Sequence, residues 1–236
     1  KNFNNYFGRM YQARYLSGIV AGMNTKTNKI GYVAAMGTDN SEVTSGIDAF
    51  ALGIYSVNPQ AQVYVKVTNS WYAPQKEEEA AKQLLDMDCD VIAQHCDTSY
   101  PQTLAQERGV YSIGYNSDMS KNAPEACLCS VVWNWSAYYT TAVQSIIDGT
   151  WDGSNYYGGM SENLVNVTSV ANFATAGTQE KVNEAKQQIL TGKNGVFDGA
   201  IETNTGEIIG TAGSTLDDAT ITGAMNWYFK TVNVVE

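Results

Sequence analysis

The sequence predicts an α/β fold built on a doubly wound parallel sheet, and three observations lead there. Short apolar, β-branched runs alternate with amphipathic helical stretches five times between residues 30 and 147. The segments that follow the strands are short and rich in Gly, Asn, Asp and Pro, as strand-to-helix turns should be. The 236 residues are 44% hydrophobic and 16% charged, a globular composition long enough for one large or two small domains with a proper core.

Residues 3–23 place Tyr11, Tyr15, Leu16, Ile19 and Val20 on one helical face, ended by Gly22 and the turn Thr25-Lys26-Thr27-Asn28. Ile30 to Ala35 reads as a strand, Met36 to Ser41 as a loop, and Glu42 to Ser56 as a helix with Val43, Ile47, Phe50 and Ile54 inward. The plan repeats with strand Gln62 to Thr68, loop Asn69 to Pro74, and helix Lys76 to Met87. The acidic first turn Glu77 to Glu79 suits the positive end of that helix and reads as a solvated cap. A third unit has strand Asp90 to Gln94, loop His95 to Pro101 and helix Gln102 to Arg108. Strand Val110 to Gly114 opens into Tyr115-Asn116-Ser117-Asp118-Met119. The fifth strand, Cys127 to Val132, runs into Trp133-Asn134-Trp135 and a helix whose Ala142, Val143, Ile146 and Ile147 share an apolar face up to Gly149. Beyond Trp151 the spacing predicts a strand near Leu164 to Val170, a helix over Gln179 to Leu190, a hairpin turning at Asn204-Thr205-Gly206 and a last helix over about Asp217 to Thr231.

Right-handed crossovers place all five post-strand loops along one sheet edge, where open α/β sheets bind ligands. Those loops carry Asn69, Trp71, Gln94, His95, Asp97, Asn116, Asp118, Trp133, Asn134 and Trp135. Indole rings offer flat stacking faces, and the amides and carboxylates offer donors and acceptors, which is the make-up of a pocket for a small polar molecule. Convergence of several loops weighs more than any one residue, since each Trp taken alone is as readily a core aromatic.

The formal net charge of −10 argues against nucleic acid and against adhesion to anionic lipid. No window approaches the roughly 20 apolar residues of a membrane span. The chain starts at Lys1 without a leader, which gives the expectation of a processed or trimmed product. Cys89, Cys96, Cys127 and Cys129 match no zinc pattern; buried thiols and a disulfide both fit their spacing. The sole histidine, His95, excludes a histidine-rich metal site. Gly-x-Ser-x-Gly, Gly-x-Gly-x-x-Gly and Walker motifs are absent, and Gly158-Gly159 lacks the helix and Lys that phosphate binding wants. No cofactor is expected, and a pocket without an evident nucleophile reads as binding without catalysis.

Several stretches resemble the basic membrane protein (BMP) family, the substrate-binding lipoproteins of ABC importers that include purine nucleoside receptors. They are Asn5–Gly22, Thr25–Ala35, Gly46–Pro59, Asn69–Tyr72 (NSWY), Asp90–His95, Gly114–Ser120, Ser130–Tyr139 (SVVWNWSAYY) and Phe197–Ile201. The NSWY and VVWNW runs are similar to a branch associated with purine bases such as adenine. The resemblance implies a type I periplasmic-binding-protein fold, with two lobes closing on a purine base or nucleoside and an ABC permease as partner. It further implies an extracytoplasmic location, with membrane contact only through a lipid anchor outside this chain. Residues 1–28 then read as a remnant of the amino-terminal lobe and hinge. Residues 29–155 read as a five-stranded α/β lobe, and 156–236 as hinge-crossing strands and helices completing both lobes. The sequence departs from the family in lacking most of the amino-terminal lobe, in Ala73 where an Asp is common, and in the Met36–Ser41 loop. An enzyme acting on nucleosides through Asp97 or Asp118, and a sensor domain of the same fold, are the alternatives.

Overall fold

The computed structural model describes residues 2–236; the start at Lys1 lies outside them. A seven-stranded sheet forms the centre, in the order β11-β3-β2-β4-β5-β6-β8. Its strands are β2 (Lys29–Ala34), β3 (Gln62–Val67), β4 (Val91–His95), β5 (Tyr111–Asn116), β6 (Cys127–Trp133), β8 (Val165–Val167) and β11 (Val232–Val234). Every neighbouring pair is parallel except β6 with β8. The doubly wound parallel sheet expected from the alternation is present.

The helices fall on two faces because strand side chains alternate. Ile30, Tyr32 and Ala34 of β2 enter one apolar cluster together with helices α1 (Met10–Asn24), α2 (Ser41–Val57) and α6 (Thr178–Leu190). Val33, with Ala35 just beyond the strand, enters the other, where α3 (Pro74–Asp86) packs beside α4 (Tyr100–Glu107). The crossover from β2 to β3 runs on the first face and that from β3 to β4 on the second, so the strand order reverses between β2 and β4. That switch point opens a crevice at the carboxyl ends of the strands.

Two glycines set how closely α1 and α2 cross. A Cβ on Gly18 would run into the Phe50 carbonyl oxygen, and one on Gly53 into the Tyr15 carbonyl oxygen. The missing side chains let backbone meet backbone at the crossing.

Where the structure departs from the expected elements, a tertiary contact decides. The first helix begins at Met10, because Tyr6–Gly8 forms strand β1 and pairs in parallel with β7 (Tyr156–Gly158) in a separate two-stranded sheet. The last helix is only α7 (Asp218–Gly223). Phe229 N donates to the buried Asp48 carboxylate at 2.8 Å and Lys230 N bonds Glu202 O, which draws the chain out and leads it into β11 beside β3. The hairpin is reduced to Ile201–Glu202 (β9) and Ile208–Ile209 (β10). Glu77 is fully buried instead of solvated: it accepts from the Ala73 backbone N at 2.9 Å and from Thr98 Oγ1 at 2.5 Å, joining two loops. Helix α5 (Ser136–Ile147) shows the expected apolar stripe facing outward, with Val143, Ile146 and Ile147 at 56%, 61% and 71% exposure. All four cysteines are buried free thiols.

Gly18→Ala should therefore lower stability by about 2 kcal/mol in urea unfolding, although helix propensity alone favours Ala by about 1 kcal/mol. An unchanged or raised midpoint would remove the close-crossing argument. The α5 stripe leads to a second expectation: in sedimentation velocity the 236-residue chain self-associates, and Val143→Lys with Ile147→Lys reduces it. Equal association of both forms would mean that the stripe is inert.

Candidate functional site

At the carboxyl edge of the sheet a pocket of about 270 Å³ is lined by Phe7, Glu42, Trp71, Asp97, Tyr115, Asn116, Trp133 and Trp135. Five of the ten residues expected from the loops meet there: Trp71, Asp97, Asn116, Trp133 and Trp135. Backbone geometry helps to aim them. Asn116 ends β5 at φ +68°, a left-handed conformation that asparagine tolerates, and its Nδ2 donates to Asp97 Oδ1 at 2.7 Å. Asp97 N in turn donates to Trp71 O at 2.9 Å, tying the loop after β4 to the loop after β3.

The aromatic residues form a continuous wall. Trp133 and Trp135 stack on each other with centroids 4.5 Å apart and planes 13° apart, and Tyr139 continues the stack beyond Trp135 at 6.0 Å. Phe7 leans on Trp133 at 5.2 Å. Gly8 is what permits the approach of β1, since a Cβ there would meet the Trp133 ring at 2.8 Å. Trp133 Nε1 donates to the Tyr115 hydroxyl at 3.4 Å, linking wall to floor.

The other expected residues lie around this pocket, outside its lining. Gln94 is fully buried and donates to Thr98 O at 2.6 Å. His95 sits beneath the floor, edge-on to Tyr115 at 4.7 Å and to Trp71 at 5.8 Å. Asn134 holds the entry to α5: its Nδ2 donates to Asn163 O and its Oδ1 accepts from Ser136 Oγ. Asp118 is exposed and accepts from Ser120 N. Asn69, at φ +54°, lines a different cleft with Lys66, Lys76 and Glu79.

Beneath the floor lies a charge that the sequence reading passed over. Arg14 is fully buried on α1, its guanidinium 4.1 Å from the Tyr115 ring centroid, and its Nη1 donates to Gln94 O at 2.6 Å. Its Nε and Nη2 have no protein partner. Burial, followed by the Arg14 charge, drives His95 from its ordinary value of 6.5 down to about 4. The ring is thus neutral at pH 7, and its 3.6 Å contact from Nε2 to Glu42 is dipolar, not ionic. Burial also pushes the Tyr115 hydroxyl upward.

Glu42, Phe7, Tyr115 and Arg14 are the site residues that loop reading missed. Glu42 falls one residue beyond the Met36–Ser41 loop, Phe7 lay inside the predicted first helix, and Tyr115 points inward from a strand end. Arg14 alone left a signal, as a cation on an otherwise apolar helix face. A smaller cavity of about 130 Å³ adjoins the pocket and shares Phe7 and Glu42 with it. Among the described residues no cluster of His, Cys, Asp and Glu could hold a metal ion, and no helix is long and apolar enough to cross a membrane.

The depressed His95 value implies a pH dependence. The unfolded chain takes up a proton below about 6.5 while the native chain resists until about 4, so His95's contribution to stability is present above 6.5 and falls away between those values. Relative to His95→Gln, the native protein should lose about 3 kcal/mol across that window in pH-dependent unfolding. Parallel curves for the two proteins would exclude it.

Comparison with known proteins agrees with this architecture. Residues 1–196 match the family described as ABC transporter substrate-binding protein PnrA-like. The chain is 36% identical to a purine-binding protein of Brucella abortus over 232 residues, 98% of this chain and 65% of that protein. It is also 36% identical to a putative ABC transporter glucose-binding protein of Haloferax volcanii over 200 residues, 85% of this chain and 51% of that one. The chain therefore spans between half and two thirds of these relatives. A solved ABC transporter solute-binding protein from Aeropyrum pernix superposes with a TM-score of 0.69 at 18% identity, covering 80% of this chain and 64% of that one, which establishes a shared periplasmic-binding-protein type of fold. On the match over residues 1–196, the chain belongs to the BMP family of PnrA-like ABC transporter substrate-binding proteins.

Proposed function

We propose that this chain is the ligand-gripping part of an ABC importer's solute receptor, and that it binds a purine base or nucleoside and hands it to a membrane permease without transforming it. The observation that carries the reading is the pocket at the switch point, where the Trp133–Trp135 stack and Trp71 share one lining with the hydrogen-bonding groups of Asp97 and Asn116. A purine matches such a site: its faces need aromatic cover and its edge needs donors and acceptors. The Brucella relative's name points the same way, whereas the Haloferax relative's name points to glucose.

Residues 29–155 act in this reading as one lobe. That lobe also takes in α1, α6, β8 and β11, which pack on or join its sheet, and the β1–β7 pair, in a sheet of its own, is proposed to lead across a hinge toward a second lobe. The receptor works outside the cytoplasm, carried near its permease by a lipid anchor beyond these residues. Of the ten loop residues, the five that line the pocket are proposed to touch the ligand. Gln94, His95 and Asn134 are proposed to hold the floor and rim, and Asn69 and Asp118 to lie outside the contact.

Calorimetric titration of the natural full-length protein with adenine, guanine, their nucleosides and glucose tests this. Binding of a purine without turnover is expected, and Trp133→Ala should weaken it by about 1–3 kcal/mol, roughly tenfold to a hundredfold. Glucose binding with no response to any purine, or release of free base from a nucleoside, would overturn it.

A further inference from the structure

We propose that Glu42 is the specificity-determining acceptor of this site, selecting purines that present an exocyclic amino group over oxopurines that lack one. The proposal rests on the purine reading above and adds a residue and a ligand chemistry to it.

Position is the first argument. Glu42 stands in the first turn of α2, directly after β2, while Asp97 follows β4, so the two carboxylates flank the point where the strand order reverses. Glu42 lines both the 270 Å³ pocket and the 130 Å³ cavity beside it. Its backbone is fixed: Asn40 caps the turn by accepting from Val43 N at 3.1 Å, and Ser45 Oγ donates to Glu42 O at 3.1 Å.

Available acceptor capacity is the second. His95 Nδ1 lies 3.3 Å from the Tyr32 hydroxyl, and its Nε2 faces Glu42 at 3.6 Å with no hydrogen-bond partner. At that distance Nε2 makes no hydrogen bond to Glu42, so the contact leaves the carboxylate's acceptor directions open. Among the described residues no lysine or arginine pairs with Glu42. Its side chain remains 27% exposed, within a largely aromatic lining. Asp97, by contrast, already has Asn116 Nδ2 on Oδ1 at 2.7 Å.

An ionised carboxylate accepts and never donates. Facing an exocyclic amino group it forms a charge-assisted bond, and facing a ring carbonyl it sets lone pair against lone pair in a half-dry site, so hypoxanthine can meet it only by turning a ring N–H toward it. Discrimination follows because the wrong partner leaves a partly buried acceptor unmatched. Arg14 lies too deep, against the underside of Tyr115, to reverse the preference at the pocket surface.

The test is calorimetric titration of the natural full-length protein and its Glu42→Gln variant with adenine, guanine and hypoxanthine, with melting temperature recorded. The expected result is that adenine or guanine binds at least about tenfold tighter than hypoxanthine, and that Glu42→Gln, which offers a donor as well as an acceptor, cuts the preference to about threefold or less. Hypoxanthine binding as tightly as both aminopurines in the unsubstituted protein overturns the proposal, whatever the variant does. So does a preference unmoved in a variant that melts normally. In both cases the purine reading stands; if no purine binds at all, that reading falls and the proposal with it.

Discussion

Strand direction is the constraint on which the rest of the molecule depends. From β2 to β6 every strand runs the same way, so each must return by a crossover, through α2, α3 and α4 after the first three and through the helix-free segment 117–126 after β5, and each loop after a strand arrives at one edge. Side chains far apart in sequence, such as Glu42, Trp71, Asp97, Asn116 and Trp133, become neighbours through that geometry alone. The same constraint accounts for the sequence of the strands. Ile30, Val63, Val91, Ile92 and Ile113 are fully buried, because helices cover both faces.

The edge is open and mixes aromatic with polar groups, yet its underside is buried. Arg14, Tyr32, His95 and Tyr115 pack there with little or no exposure, and Arg14 makes no ion pair among the described residues. A buried guanidinium without a carboxylate is costly, and here two aromatic faces and one carbonyl hold it. Burial first and the Arg14 charge second keep His95 neutral, so the ring stands beside Glu42 as a dipole and not as a competing cation. Floor and rim are therefore one electrostatic unit.

On the far side of the pocket the secondary structure leaves pairing capacity open. Among the described residues β1 and β7 form a parallel pair with no third strand, an arrangement that is marginal on its own. Arg9 braces it, clamping Asp218 through Nε and Nη2 at 3.0 and 2.5 Å and donating to Tyr157 O at 2.8 Å. The apolar stripe of α5 lies exposed nearby, with Tyr6 and Tyr139 joined through their hydroxyls between strand and helix.

The sequence by itself determined the α/β class, the elements from β2 to β6 within one or two residues, and the edge at which polar and aromatic groups collect. These follow from periodicity and turn chemistry, which act over a few residues and are written locally. Tertiary structure decided the rest. Tyr6–Gly8 has a strand partner only because Tyr156–Gly158 lies beside it, and residues 229–234 leave a helical pattern because Asp48 and β3 bind them. Glu77 is buried because Thr98 approaches from another loop, and the stripe of α5 is amphipathic without anything in the chain to cover it. Within the site, Trp71 and the Trp133–Trp135 pair announced themselves as aromatics in loops. Glu42 did not, and Arg14 showed only as a cation on an apolar helix face, since their meaning arises from His95 and Tyr115, residues that only the folded sheet brings near them.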